Sequence, residues 1–384
     1  MSPRGPRRTV TDMPTATARR PRIGVVTGGG DAPGLNTVIR AVVMAADRRG
    51  WDTIGILGGF EGLLPPVAHR PLEAREMEAL LFRGGTVLGT SNRGRFRRET
   101  ATGGREVDPQ AVATAAANAK RLDLEALICI GGDGSLRIAS HLADAGVPVV
   151  GVPKTIDNDL PGTDATFGFQ SAVGVAVDAL DRISSSAESH RRVMVLEVMG
   201  RRAGWIATHA GVAGGADIIL IPEIRFTWDA VCNRIEERYQ GGLPHALVVV
   251  AEGARAVGGR YVMTYGPAGR AGGQGRLGGI GPRVALEIER RTGHETRAVV
   301  LGHLQRGGPP NAWDRQLCTR FGVAAVEAVA AGRVRTMVAL RGAAIVPVPL
   351  REGVGTNRTV PTDGELVRAA RAIGISFGDE AAVS

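Results

Sequence analysis

Short apolar runs rich in β-branched residues recur along this chain: "RIGVVT" from Arg22, "TIGIL" from Thr53, "ALICI" from Ala126, "PVVGV" from Pro148, "VMVLEV" from Val193, "DIILIP" from Asp217, "ALVVVA" from Ala246 and "AVVLG" from Ala298. Between most of them lie stretches such as Leu35 to Asp47 and Trp228 to Tyr239, where apolar positions return at close to the 3.6-residue period of an amphipathic helix. Strand then helix, repeated, predicts an α/β fold with a mostly parallel sheet and helices on both faces. The runs are apolar throughout rather than alternating, as befits strands buried on both sides. Single cores stop growing at roughly 250 to 300 residues, so a chain of 384 residues predicts two such lobes.

Three segments break this rhythm. Residues 1–21, "MSPRGPRRTVTDMPTATARRP", lack apolar periodicity and read as a disordered basic tail without the apolar stretch of a secretory signal. Residues 253–282 are too rich in Gly for regular structure and predict a surface loop ahead of a helix that begins near Arg283. The pattern weakens again after Arg351, which predicts a C-terminal extension, 351–384, wrapped around the outside. No apolar run approaches the ~18 residues of a membrane span. Cys129, Cys232 and Cys318 are scattered without paired spacing and read as reduced thiols of a cytoplasmic protein.

Composition then narrows the partners. A net charge of +9 is compatible with nucleic acid, an anionic membrane or phosphorylated substrates. The arginines are spread over the whole chain, and only three Tyr and eight Phe are present, which argues against nucleic acid. Of 47 basic residues only two, Lys120 and Lys154, are lysines, and Lys154 stands in "PKTIDND" beside Thr155, Asp157 and Asp159. An ammonium is a compact point charge and guanidinium a broad fork, so this choice points to a small, highly charged ligand.

Ligands of open α/β sheets bind beyond the carboxyl ends of the strands, and three such ends open into candidate loops. "TGGGDAPGLN" follows the first strand; Gly28, Gly29 and Gly30 are free to take positive φ and to turn N–H groups toward a phosphate, though a purely structural turn explains them equally well. In "IGGDGS", Gly131, Gly132 and Gly134 clear space for phosphates before Ser135. Asp133 there offers a hard oxygen ligand for Mg²⁺, or alternatively caps a helix that starts at Ser135. In the third loop Thr155, Asp157 and Asp159 alternate, so an extended backbone would project them on one face. A carboxylate there could take the proton of an attacking hydroxyl, although an Asx-rich turn accounts for the same letters. Further on, "EVMGRRAGW", "AEG" and "ETRAVVLGHLQRGG" place Arg201, Glu252, Arg297, His303 and Arg306 at strand ends or loops, where they suit a second phosphate and sugar hydroxyls.

Taken in order, "GGGDAPGLN", "GGDGS", "PKTIDND", "EVMGR" and "GHLQRGG" over roughly residues 22–345 resemble the 6-phosphofructokinase family. The resemblance implies two doubly wound lobes with the active site between them, and Mg²⁺-dependent phosphoryl transfer from ATP to the 1-hydroxyl of fructose 6-phosphate. It implies a donor lobe from 22–165 plus 308–350 and a sugar-phosphate lobe from 166–307. Gly29, Arg93, Gly132, Asp133, Gly134, Ser135 and Lys154 would meet the donor, with Asp133 on the metal. Asp157 would be the general base, with Thr155 near the transferred group and Asp159 supporting. Met199, Gly200, Arg201 and Glu252 would contact the sugar, and Arg192, Arg297, His303 and Arg306 its 6-phosphate. The first two of those four would reach in from a neighbouring subunit of a homo-oligomer, a dimer or tetramer.

The chain also departs from the family pattern. Asn92 before Arg93 leaves the register of that contact open by one position. Met44, Ser184 and Leu243 stand where regulated relatives carry cations, so only Arg40 remains of that second phosphate site. Gly134 resembles the ATP users and Lys154 the pyrophosphate users. Gly134 leaves room for the α-phosphate and Lys154 helps either donor, which favours ATP over diphosphate. A non-catalytic sugar-phosphate binder on the same scaffold is the remaining alternative, and the intact Asp133, Asp157 and Arg201 argue against it.

Overall fold

The structure, a computed structural model, describes residues 20–91, 94–99, 105–264 and 276–380. The apolar runs form two separate sheets. The larger has seven strands in the order Ala344–Pro349, Thr336–Arg341, Val149–Pro153, Ala126–Gly131, Arg22–Thr27, Asp52–Ile56 and His69–Pro71. Its interior pairings are parallel, and only the two outermost strands run antiparallel to their neighbours. The smaller is wholly parallel, in the order Thr296–Val300, Val193–Val198, Ala246–Ala251, Ile218–Leu220. Every residue of Ala126–Gly131, Val193–Val198 and Ala246–Ala251 is buried, which is why those runs carry no polar alternation.

Helices cover both faces of each sheet. Leu35–Asp47 and Ala312–Ala330 pack on one side of the large sheet, and Pro109–Arg121 with Asp133–Asp144 on the other. Phe169–His190 and Trp205–Ala213 cover one face of the small sheet, and Trp228–Gln240 with Ile280–Thr292 the opposite one. Asp108, Thr227 and Asn311 cap their helices through side-chain oxygens. The chain crosses to the small sheet through Phe169–His190 and returns through Ala312–Ala330. Where these two helices meet, the buried Asp314 carboxylate accepts from Gly168 N–H at 3.0 Å, Ser171 N–H at 2.8 Å and the Ser171 hydroxyl at 2.6 Å.

Several expectations need amending. The helix expected near Arg283 begins at Ile280, and the glycine-rich stretch ahead of it contains paired two-residue strands, Met263–Thr264 and Arg276–Leu277; residues 265–275 lie outside the described residues. The segment after Arg351 does not merely wrap the outside. Val360, Val367, Ala370, Ile375 and Phe377 enter the small-sheet core, and Ser376 bridges in parallel to Ile218, adding to that sheet's edge. Sparse apolar residues sufficed because a short helix, Glu365–Ala372, supplies Val367 and Ala370 while the chain on either side supplies Val360, Ile375 and Phe377. The expected tail, 1–21, lies outside the described residues except for Arg20 and Pro21. Among the described residues no helix is long and apolar enough to cross a membrane.

Candidate active site

In the large sheet the chain moves one way from Arg22–Thr27 to Asp52–Ile56, then returns to place Ala126–Gly131 on the other side. The carboxyl ends of Arg22–Thr27 and Ala126–Gly131 therefore flank a switch point, where such folds open a crevice. Both glycine loops start there, fastened by Gly28 N–H donating to Ile130 O at 2.9 Å. Of the three glycines expected to use positive φ, only Gly29 does, at 81°. The others are glycine for room: a Cβ on Gly28 would stand 2.6 Å from Ser135 Oγ, and one on Gly30 3.1 Å from the Arg306 guanidinium.

The second helix begins at Asp133 rather than Ser135, with Gly132 at the cap position and no side-chain cap. Asp133 is thus not the cap; its carboxylate accepts from Arg137 at 3.2 Å and from Gly355 N–H at 3.2 Å. A helix start without a side-chain acceptor leaves N–H groups for an anion. Beyond these loops Gly29, Ser91, Arg97 and Ser135 line a recess with Ile138, Phe60 and Phe96, whose two rings meet edge to face at 5.9 Å. Gly134 borders it, since a Cβ there would stand 2.8 Å from Arg97 Nη2. Arg93 lies outside the described residues.

The third loop is a turn, not the extended segment expected. Asn158 sits in the left-handed region at φ 51°, so Thr155, Asp157 and Asp159 do not share one strand face. They converge differently: Asp157 N–H donates to Thr155 Oγ1 at 3.1 Å, and the Asp159 carboxylate accepts from Thr155 and from the Asn357 amide. Lys154 is buried and donates to the Gly30 carbonyl, while Arg306 donates to the Asp31 carbonyl at 3.1 Å. Lys154 thereby ties the first glycine loop to the third, and Arg306 ties it to the turn of "GHLQRGG".

The charges compress one another. Burial, with the nearby Arg306 cation, pulls the Lys154 ammonium down to about 8. Burial, with repulsion from Asp159, pushes the Asp157 carboxyl up to about 6 against the pull of Arg306 and Lys154. Its Oδ1 is sealed from solvent without a hydrogen-bond partner. Burial, with Asp157 and Glu197 nearby, pushes Glu252 up to about 7. Such a spread of displaced carboxyls around two cations is typical of a proton-transfer site.

Met199, Gly200 and Glu252 follow the carboxyl ends of two adjacent small-sheet strands. Gly200 takes φ 139°, and a Cβ there would stand 2.8 Å from Ala203 O, so only glycine fits. Met199 N–H donates at 2.7 Å to Gln305, a buried side chain to which no role had been assigned although it stands inside "GHLQRGG". Arg201 and His303 are exposed.

Arg192 and Arg297 gather elsewhere. Both bond to Glu295, Arg192 at 2.6 Å and Arg297 at 2.5 Å. They stand at the amino-terminal end of the small sheet, where Thr296 and Val193 are paired, the opposite end from Met199 and Glu252. Sequence reasoning also missed Asp31, Asn357 and Arg358, because a backbone carbonyl contact and a weakly patterned tail leave no motif.

Comparison with known proteins agrees with this geometry. The family model described as Phosphofructokinase matches residues 22–329. The chain is 53% identical over 363 residues to the ATP-dependent 6-phosphofructokinase of Chloroflexus aggregans, covering 94% of this chain and 99% of that one. It is 50% identical over 343 residues to the pyrophosphate–fructose 6-phosphate 1-phosphotransferase of Amycolatopsis methanolica, covering 89% and 97%. Among solved structures it resembles the phosphofructokinase of Saccharomyces cerevisiae with a TM-score of 0.73 and 30% identity, over 87% of this chain but only 45% of that longer one. With the glycine loops, the half-buried Asp157 and the matched motifs in one crevice, the chain belongs to the phosphofructokinase family.

Proposed function

We propose that this protein transfers the γ-phosphoryl group of ATP to the 1-hydroxyl of fructose 6-phosphate, giving fructose 1,6-bisphosphate and ADP. The hydroxyl oxygen forms the new bond to phosphorus, the bond to the ADP oxygen breaks, and Asp157 takes the hydroxyl proton. Its carboxyl, pushed up to about 6, suits that role. Lys154 and Arg306 hold the glycine loop and put positive charge where the transferred group carries negative charge. In this reading residues 22–165 plus 308–350 hold the donor, 166–307 the sugar phosphate, and the enzyme works in the cytoplasm as a homo-oligomer.

Among the described residues no three His, Cys, Asp or Glu side chains gather into a metal cage. Asp133 alone suits Mg²⁺, an ion commonly held by one or two carboxylates, waters and substrate phosphates. Bound there it would neutralise charge on the donor's phosphate oxygens.

ATP is favoured by one observation: Gly134 carries no side chain beside the donor loop, so nothing there would meet the α-phosphate of a nucleotide with bulk or negative charge. Lys154 and the name of the Amycolatopsis methanolica relative favour diphosphate as the second reading. A coupled assay with fructose 6-phosphate, Mg²⁺ and each donor in turn tests the choice. We expect faster turnover with ATP, and a Gly134→Asp variant that loses ATP use because its carboxylate would pair with Arg97 and repel the α-phosphate. Faster turnover with pyrophosphate in the unmodified protein would give the second reading its place.

A further inference from the structure

The family model ends at residue 329, yet a segment beyond it runs through the site. Between Gly353 and Val360 the chain passes from the large-sheet lobe to the small-sheet core and touches the second and third loops on the way. Gly355 N–H donates to Asp133 at 3.2 Å. The Asn357 amide donates to the Asp159 carboxylate, and its own oxygen accepts from Arg202 at 3.2 Å. Arg358 N–H donates to the Asp159 carbonyl at 2.8 Å, and its guanidinium closes a fork on the Asn158 carbonyl at 3.2 Å and 3.0 Å. On the far side Trp205 Nε1 donates to the Arg358 carbonyl at 3.0 Å, with the guanidinium 4.8 Å above the indole ring. Val360 N–H then donates at 2.8 Å to Glu223, which also accepts from Gly204 N–H at 3.0 Å.

We propose that Asn357 and Arg358 are positioning residues for phosphoryl transfer: from one strap they pin the turn that aims Asp157. The proposal deepens the phosphotransferase reading and rests on it for its kinetic part. Asn158, a residue type that tolerates the left-handed region, is held at its φ of 51° from both sides. Inside the lobe, Asn158 Oδ1 accepts from Thr166 N–H at 3.0 Å. From outside, the Arg358 fork holds the carbonyl of the same residue, and Asn357 holds the carboxylate of the next. The same strap meets Asp133 on the donor side and Arg202, beside Arg201, on the sugar side. Donor, base and sugar segments thus share one mechanical reference.

The test uses the full-length protein with Asn357→Leu and Arg358→Leu, which remove the polar contacts but keep bulk, and with Asn357→Gln and Arg358→Lys as conservative partners. A misplacement of the order of 1 Å at a reacting group costs up to about 100-fold. We expect kcat to fall by about 10- to 100-fold in the leucine variants while KM for fructose 6-phosphate and for the donor stays within about threefold, with partial recovery in the conservative variants. Amide hydrogen exchange over 155–166 should quicken in the leucine variants, while exchange in Trp228–Gln240 stays unchanged. Unchanged exchange at 155–166, or a rise spread evenly over the protein, overturns the strap as a positioning device. If the unmodified protein turns over fructose 6-phosphate with neither donor, the functional reading fails, and the exchange measurement still decides the role of the strap.

Discussion

At the scale of single residues, the site sets a half-buried carboxyl and a buried ammonium against each other. Asp157 is pushed up from 3.8 to about 6, principally by burial, which brings it near the pH where a general base is most effective. Below about pH 6 it is protonated and cannot accept the hydroxyl proton, so kcat/KM should fall about tenfold per pH unit on the acid side, read from a pH–rate profile. Asp157→Asn should lower kcat by ~10² to 10⁴. Its effect on stability runs the other way. The folded protein binds this proton more tightly than the unfolded chain, so charging Asp157 costs stability as pH rises from about 4 through about 6, and the cost persists above. The asparagine variant should therefore be more resistant to denaturant at pH 7, by about 1–3 kcal/mol, with the gain gone near pH 4. A variant that loses activity and stability together at pH 7 contradicts this account. Lys154 was legible as an anomaly of composition, one of two lysines in an arginine-rich chain. That its ammonium would also hold the Gly30 carbonyl was not, since backbone oxygens leave no trace in side-chain letters.

At the scale of elements, the strands were the most legible part, because burial on both faces forces runs such as "ALICI" and "ALVVVA" to be apolar throughout. The turns were less so. "TIDND" alternates like a strand, but Asn158 tolerates the left-handed region and bends the loop. The helix at Asp133 starts earlier than its sequence suggests, with Gly132 at the cap position in ordinary extended backbone, where a Cβ would crowd the Lys154 carbonyl at 3.2 Å. Phe169–His190 likewise has glycine at its cap position, and its open N–H groups are met by Asp314 from another helix, 143 residues away in sequence for Ser171. No local pattern could announce such a cap. Removing that carboxylate leaves buried donors unpaired, so Asp314→Ala should destabilise the protein by about 2–4 kcal/mol in a denaturant titration. Asp314→Asn, which keeps an acceptor, should cost less. Equal stability of Asp314→Ala and the unmodified protein would mean the two helices do not depend on this contact.

At the scale of the whole molecule, the two-lobe plan explains why five short motifs spread over roughly 280 residues act as one site: each follows a strand's carboxyl end or a loop facing the same crevice. Arg192 and Arg297 are the exception. They sit at the amino-terminal end of strands five or six residues long. At about 3.3 Å per residue that places them roughly 15–20 Å from Met199 and Glu252 of the same chain. A fructose 6-phosphate whose sugar met Met199 and Glu252 of one chain would therefore lie out of their reach within that chain. Arg297 is exposed and Arg192 half-buried, with Glu295 bridging both guanidiniums. Edge strand Thr296–Val300, with Val300 and Leu304 exposed nearby, offers a face on which a second copy would bring this pair to its own site. Arg297→Ala should then raise KM for fructose 6-phosphate by about 10-fold or more, the loss of a charge-assisted bidentate contact, and leave the donor's KM unchanged. Mixing Asp157→Asn with Arg297→Ala should restore activity, because a mixed oligomer holds one site with both an intact base from one chain and an intact arginine from the other. Failure of that rescue after verified subunit exchange would mean that the site is completed within one chain and that the Glu295 cluster only stabilises the sheet edge.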